Sequence, residues 1–163
     1  MLERELPNMA GGARAAEYGR LSELTQRRLA GFKQWAAEAV AGPFDTAAVD
    51  ATLDEEIGSG GVVVFAFASC PFCKEAKALL DRKGATYTWR LLDEREDGAA
   101  LRARLGVRTG RTSVPSVWIS GAYVGGLNDG LDDAASPGLA PLQRRGELDD
   151  RLQQAGALAP RVT

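Results

Sequence analysis

The sequence predicts an α/β fold in which a mixed four-stranded sheet carries helices on both faces, preceded by an N-terminal helical extension. From residue 62 onward, short apolar runs typical of buried strands alternate with stretches of helical periodicity. Before residue 58 the apolar residues recur only at helical spacing. Because the stretch GSGG at 58–61 separates the two patterns, we place the boundary there, with the extension at 1–58 and the main domain at 59–163.

Two helices are expected in the extension. Residues 1–19 are rich in Ala, Gly and Arg, and we expect a flexible arm there. Apolar residues then recur on one helical face over about 21–41, and Trp35 is expected to pack this helix against the rest of the chain. The next helix has Asp45 as its cap and repeats apolar residues every four positions, at Val49, Leu53 and Ile57.

The main domain is expected to have the order β-α-β-α-β-β-α. Strands joined by a crossover helix are expected to be parallel, and the turn at 120–121 makes the last pair antiparallel. The predicted strands are VVVFAF (62–67), ATYTWRLL (85–92), VPSVWIS (114–120) and AYVGG (122–126). The predicted helices are PFCKEAKALLDRKG (71–84), EDGAALRARLG (96–106) and GELDDRLQQAGAL (146–158).

Composition narrows the class of protein. An apolar fraction of 45% is ordinary for a globular chain with a core, and the net charge of -2 gives no reason to expect nucleic acid or a membrane surface as partner. The apolar run at 62–68 is too short to span a membrane, and the first ten residues do not form a secretory signal. Two closely spaced cysteines are unlike a secreted disulfide framework, so we expect a reducing compartment.

The segment CPFC at 70–73 holds both cysteines and allows three interpretations. A structural zinc site needs about four Cys or His ligands. This chain has two cysteines and no histidine, so a metal site would need a dimer. The cysteines could also be unreactive buried thiols, because buried Cys is a common small apolar residue.

The third interpretation, a redox pair, has a local physical mechanism. Cys70 follows a buried strand and begins a helix, where unpaired N–H groups and the helix dipole stabilise a thiolate relative to a thiol. Lys74 and Lys77 add positive charge on the same helix. Cys73 lies one turn further, within reach of a disulfide formed at Cys70. A C-x-x-C motif beside a β-α-β pattern is a recognised redox signature.

Three further segments carry a resemblance to a known family. TSVP at 112–115, GG at 125–126 and ND at 128–129 follow CPFC in an order and spacing that resemble a glutaredoxin. The resemblance covers about residues 60–158 and implies a thioredoxin-like fold. The helical leader is similar to those of algal, plastid-targeted members, which implies a cytoplasmic or plastid stromal location.

The resemblance implies a mechanism as well. Cys70 is expected to be the nucleophile and Cys73 the resolving thiol, with glutathione as reductant and co-substrate. The expected substrates are protein–glutathione mixed disulfides and protein disulfides, and the expected state is a monomer without metal. Two alternatives stay open: a dimer binding an iron–sulfur cluster with glutathione, against which Pro71 argues, and a thioredoxin-like reductase of particular protein partners.

The glutathione contacts follow the same resemblance. Pro115 corresponds to the family's cis-proline, which would turn the backbone of Val114 toward glutathione. The family often has lysine where this chain has Phe67, so another residue must supply the cation for the glycine carboxylate, and we favour Arg102 among the arginines at 102, 104, 108 and 111. The remaining expected contacts are Pro71, Phe72 and Gly126, together with Asn128 and Asp129, which we expect at a helix N-terminus. An acidic insertion, GLDDAASPGLAP, follows Asp129.

Overall fold

The computed structural model describes residues 27–128, 130 and 136–160. The predicted arm at 1–19, the start of the first helix and Asp129 lie outside these residues. Helix α1 covers 27–41 of the described chain. The other elements are α2 (Thr46–Ile57), β1 (Val62–Ala66), α3 (Pro71–Lys83), β2 (Thr88–Leu91), a short 3-10 helix (Leu92–Glu94), α4 (Gly98–Thr109), β3 (Ser116–Ile119), β4 (Ala122–Gly125), α5 (Leu139–Arg144) and α6 (Leu148–Gln154).

The four strands form one mixed sheet in the order β2-β1-β3-β4, which confirms the predicted fold class. Strands β1 and β2 are parallel, whereas β3 is antiparallel to both β1 and β4. The expectation that every crossover helix joins parallel strands is therefore wrong for β3. After α4 the chain returns through residues 110–115 to the end of the sheet where β2 finished, so β3 starts there and runs the opposite way.

Strand β1 is buried on both sides because helices cover both faces of the sheet. Side chains alternate along a strand, so Val62 and Val64 face the layer formed by α3, α5 and α6. Val63 and Phe65 face the layer that contains α2 and α4. All five residues of β1 are buried.

Helix α2 of the extension belongs to this second layer. Asp45 caps the helix by accepting a hydrogen bond from the Ala48 N–H. Leu53 is completely buried in the same cluster as Phe65. On the outside, the Asp50 carboxylate receives two hydrogen bonds from Arg104, at 2.7 and 2.8 Å. Helix α2 thus shares a hydrophobic core with the main domain, although it precedes the predicted boundary at 58–61.

Helix α1 packs differently from the prediction. Ala37 is buried, and the Gln34 side chain donates a hydrogen bond to the Ala103 carbonyl of α4. Trp35 is 62% exposed and stacks against Phe32 on the outer side, so its predicted anchoring role is wrong. Gln34 also lies so close to Gly106 of α4 that a Cβ at that position would collide with it.

The C-terminal segment contains a helix that the sequence pattern does not predict. Helix α5 lies inside the stretch that we assigned partly to the insertion, because Pro141 interrupts the helical signal there. Its Leu139 and Leu142 are fully buried under the sheet. The predicted last helix is observed as α6. Among the described residues, no helix is both long and apolar enough to cross a membrane.

Candidate functional site

Cys70 lies at the junction of β1 and α3 and occupies the N-cap position of that helix. The first N–H groups of a helix have no partner within the helix. Here the Cys70 sulfur accepts a hydrogen bond from the Cys73 N–H at 3.3 Å. Pro71 follows at the first helical position, where its missing N–H costs nothing. The helix start therefore directs a hydrogen-bond donor at the sulfur atom.

The two cysteines of the pair have different surroundings. Cys70 is half-buried, whereas Cys73 is 1% exposed. Burial, and then the hydrogen bond with Cys70, raise the pKa of the Cys73 thiol to about 12. Cys73 is accordingly a neutral thiol at physiological pH. Both cysteines are free rather than joined in a disulfide.

The segment before β3 closes one side of the site. The Val114–Pro115 peptide bond is cis, as the family resemblance implies. The Cys70 thiol donates to the Val114 carbonyl over a distance of 3.8 Å. The Val114 N–H has no hydrogen-bond partner among the described residues, and Val114 is only partly buried. Val114 thus has a backbone N–H without a partner among the described residues, in the same residue whose carbonyl contacts the Cys70 sulfur.

Arg102 lies beside the position where the family often has lysine. Its guanidinium lies over the ring of Phe67, 5.1 Å from the ring centre. Its Nε donates a hydrogen bond to the Thr112 carbonyl at 2.8 Å. The terminal nitrogens form no hydrogen bond or ion pair with a described residue, so they can bind a ligand.

The other three candidate arginines are engaged elsewhere. Arg104 and Arg108 form ion pairs with Asp50 and Asp54 of α2. Arg111 donates to the Gly130 carbonyl at 2.9 Å. The structure therefore distinguishes Arg102, the arginine that the family resemblance favoured, from its three neighbours.

The GG-ND segment follows β4 and turns back under α5. Gly126 is buried and its carbonyl accepts the Leu139 N–H at 2.9 Å. Asn128 is exposed, and α5 begins only at Leu139. Within the described residues no helix begins at Asn128, which differs from the expected helix N-terminus. The insertion separates the GG motif from the helix.

Pro71 and Phe72 form the outer rim of the site. Both are exposed, with 55% of the Phe72 surface accessible, as expected for a residue between the two cysteines. Sequence reasoning missed one residue that supports the loop before Cys70. The Asp93 carboxylate accepts the Ala68 N–H with both oxygens, at 3.1 and 2.9 Å, and so fixes the loop that leads to Cys70. An isolated aspartate after a strand carries no sequence signal for this contact.

Comparison with known proteins agrees with this geometry. The glutaredoxin family model matches residues 62–124. The chain is 37% identical to rice glutaredoxin-C6 over 109 residues. This alignment covers 67% of this chain and 89% of the relative. It is also 37% identical over 105 residues to the chloroplastic glutaredoxin-C4 of rice, with 64% of this chain and 72% of the relative covered.

A solved structure is similar to this chain in its fold as well as in its sequence. The buckwheat glutaredoxin–glutathione complex superimposes with a TM-score of 0.62 at 31% identity, over 72% of this chain and all of that chain. Sequence identity and fold thus agree over the region that contains both cysteines and the cis-proline. The chain belongs to the glutaredoxin family and is a thiol-disulfide oxidoreductase with a thioredoxin-like fold.

Proposed function

We propose that the protein reduces protein–glutathione mixed disulfides and protein disulfides with glutathione as the reductant. The observation that carries this proposal is the setting of the Cys70 sulfur, which accepts the Cys73 N–H at 3.3 Å and contacts Val114, whose N–H has no partner among the described residues. The first contact favours negative charge on the sulfur. The second offers a backbone donor to a peptide-like ligand. Glutathione is such a ligand, and a solved structural neighbour is a complex with it.

In the proposed first step, the Cys70 thiolate attacks the glutathione sulfur of the mixed disulfide. The new S–S bond joins Cys70 to glutathione, and the substrate protein leaves as a thiolate that takes up a proton. In the second step, a glutathione thiolate attacks the glutathione sulfur on Cys70. Oxidised glutathione leaves, and the Cys70 thiolate is regenerated.

Protein disulfides follow a route that also uses Cys73. After Cys70 forms a mixed disulfide with the substrate, Cys73 attacks the Cys70 sulfur, and the reduced substrate leaves. Two glutathione molecules then reduce the Cys70–Cys73 disulfide. Because the Cys73 thiol is buried with its pKa raised to about 12, this attack is slow at neutral pH, and the glutathione route is favoured.

Glutathione is proposed to lie along the segment before β3. Its cysteinyl backbone would pair with Val114 next to Pro115, in the manner of an added strand. The free guanidinium nitrogens of Arg102 would bind the glycine carboxylate. The γ-glutamyl end would reach Gly126, Asn128 and Asp129, of which Asp129 lies outside the described residues. Pro71 and Phe72 would flank the reacting sulfur.

We also propose an oligomeric state, a location and partners for the protein. We expect a monomer in a reducing compartment, either the cytoplasm or the plastid stroma, with glutathionylated proteins as partners. A chloroplastic relative supports the second location. Residues 1–58 are proposed as a packing extension, which agrees with the burial of Leu53 against the core.

Two cysteine variants test the function. Turnover of the mixed disulfide of cysteine and glutathione is measured by coupling to glutathione reductase and NADPH. Cys70→Ser is expected to abolish turnover, and Cys73→Ser to keep most of it, with circular dichroism confirming that both variants are folded. Full activity in Cys70→Ser would overturn the proposal, as would reduction of the protein by thioredoxin reductase in preference to glutathione.

A further inference from the structure

A groove of about 440 Å³ lies between α3 and α5, apart from the Cys70 sulfur. Its volume is within the range of ligand-binding clefts. Buried Leu79 and Leu127 line its apolar part. Its polar lining includes Glu75 and Arg82 of α3, Arg144 of α5, and Asn128.

The groove begins close to the catalytic cysteine. Pro71, Glu75 and Arg82 are spaced four and seven residues apart, so they lie on one face of α3. Pro71 directly follows Cys70. Since a helix rises about 1.5 Å per residue, Arg82 lies roughly 18 Å beyond Cys70 along this face. A chain bound at Cys70 can therefore continue into the groove.

The charges in the groove are ordered along its length. Along α3, Glu75 is nearer the cysteine and Arg82 is nearer the C-terminal end, and Arg144 of α5 lines the same groove. All three side chains are exposed, and none of them forms an ion pair or hydrogen bond with a described residue. This distinguishes Arg82 and Arg144 from Arg104 and Arg108, which are paired with carboxylates of α2.

We propose that this groove binds an acidic segment of the glutathionylated protein, with a carboxylate between Arg82 and Arg144 and apolar atoms against Leu79 and Leu127. This inference rests on the proposed function and names a class of substrate for it. An extended chain covers about 3.3 Å per residue. The preferred acidic residue is accordingly about five or six positions from the glutathionylated cysteine, and a neutral or basic residue is preferred nearer, opposite Glu75.

The test uses the full-length protein and synthetic peptides that each contain one glutathionylated cysteine. Two peptides differ only at the residues five and six positions away, which are Glu-Glu in one and Gln-Gln in the other. At low salt we expect kcat/KM to be about threefold to tenfold higher for the acidic peptide, as two exposed ion pairs allow. The difference is expected in KM rather than in kcat, and to shrink at high salt.

Variants locate the effect in the groove. In the double variant Arg82→Gln, Arg144→Gln the ratio between the two peptides is expected to fall to about one. The control is Arg145→Gln, an exposed arginine next to Arg144 that does not line the groove, and it is expected to keep the wild-type ratio. The same ratio in the double variant as in the wild type, or no preference in the wild type, would overturn the inference.

The small mixed disulfide of cysteine and glutathione separates the two hypotheses, because it has no peptide segment that could extend from Cys70 to Arg82 and Arg144. Unchanged turnover of this substrate in the double variant, together with the lost peptide preference, supports the inference. Reduced turnover would mean that the two arginines bind glutathione itself, and it would overturn the inference. No turnover by the wild-type protein would instead contradict the proposed function.

Discussion

The Arg102 guanidinium lies 5.1 Å from the ring centre of Phe67 and is tied to the Thr112 carbonyl through Nε. The stack places a cation beside the position where the family often has lysine. Phe67 therefore does not remove the positive charge from this side of the site. It supports an arginine that reaches the same region from α4.

We predict that Arg102→Gln raises KM for the mixed disulfide of cysteine and glutathione about tenfold, with a smaller effect on kcat. A charge-assisted hydrogen bond contributes about 1.5–3 kcal/mol, and about 1.4 kcal/mol corresponds to a factor of ten. The double variant Phe67→Lys, Arg102→Gln moves the cation to residue 67 and is expected to recover most of the loss. Steady-state kinetics check both, with Arg145→Gln as control. An unchanged KM in Arg102→Gln would remove Arg102 from the site.

The buried thiol of Cys73 makes stability depend on alkaline pH. Its pKa rises from 9.0 to about 12 in the folded protein, so above pH 9 the unfolded chain releases a proton that the folded chain retains. The contribution is fully present below pH 9 and is lost between pH 9 and 12, by roughly 1 kcal/mol per pH unit.

Urea unfolding at pH 8 and pH 10, under reducing conditions, measures this effect. The decrease between the two pH values is expected to be about 1 kcal/mol larger in the wild type than in Cys73→Ala. Groups that titrate in both proteins, such as Tyr87, cancel in this comparison. Equal decreases would mean that the folded protein does not hold the Cys73 proton.

Asp93 is predicted to position the loop before Cys70. Asp93→Ala removes both acceptors of the Ala68 N–H and is expected to lower the free energy of unfolding by about 1 kcal/mol. It is also expected to lower kcat/KM, whereas Asp93→Asn keeps one acceptor and recovers part of both. Denaturant unfolding and the coupled glutathione assay measure these effects. Wild-type kinetics in Asp93→Ala would limit the residue to a structural contribution.

We predict that α2 is the part of the extension that the fold requires, and that the residues before it are not required for folding. A protein that starts at residue 44 keeps the capped helix α2 and is expected to fold. One that starts at residue 59 lacks Leu53, which is fully buried, and is expected to be strongly destabilised. Leu53→Ala in the full chain is expected to cost about 2–5 kcal/mol, and the exposed control Glu55→Ala less than about 0.5 kcal/mol. Equal stability of the two truncated proteins would contradict this division.

Local patterns were sufficient to predict most of the elements. Strand β1 is recognisable because it is uncharged and buried on both faces, and α3 because Pro71 begins it and Gly84 ends it in a left-handed conformation. The cis Val114–Pro115 bond followed from the family resemblance, and the exposure of Phe72 from its place between the two cysteines. These features depend on neighbouring residues or on a contiguous motif.

The features that the sequence did not predict all depend on contacts between distant residues. The family resemblance favoured Arg102, but the sequence could not show that Arg104 is paired with Asp50, 54 positions away. The contact of α1 with α4 is made by Gln34, which bonds the Ala103 carbonyl and lies against Gly106, and no pattern within α1 indicates this. The direction of β3 depends on where the loop before it returns, which no periodicity records.

The hydrogen bonds between the end of β4 and the start of α5 have a consequence for how this site tolerates change. The N–H groups of Gly138, Leu139 and Ala140 bond to the carbonyls of Val124, Gly126 and Leu127, at 2.7 to 2.9 Å. These bonds hold together the two residues, Leu127 and Gly138, between which the insertion lies in the sequence. Each doubling of a flexible loop costs only about 0.6 kcal/mol of closure entropy. We therefore expect that insertions of very different length can occur at this point without changing the geometry around Cys70.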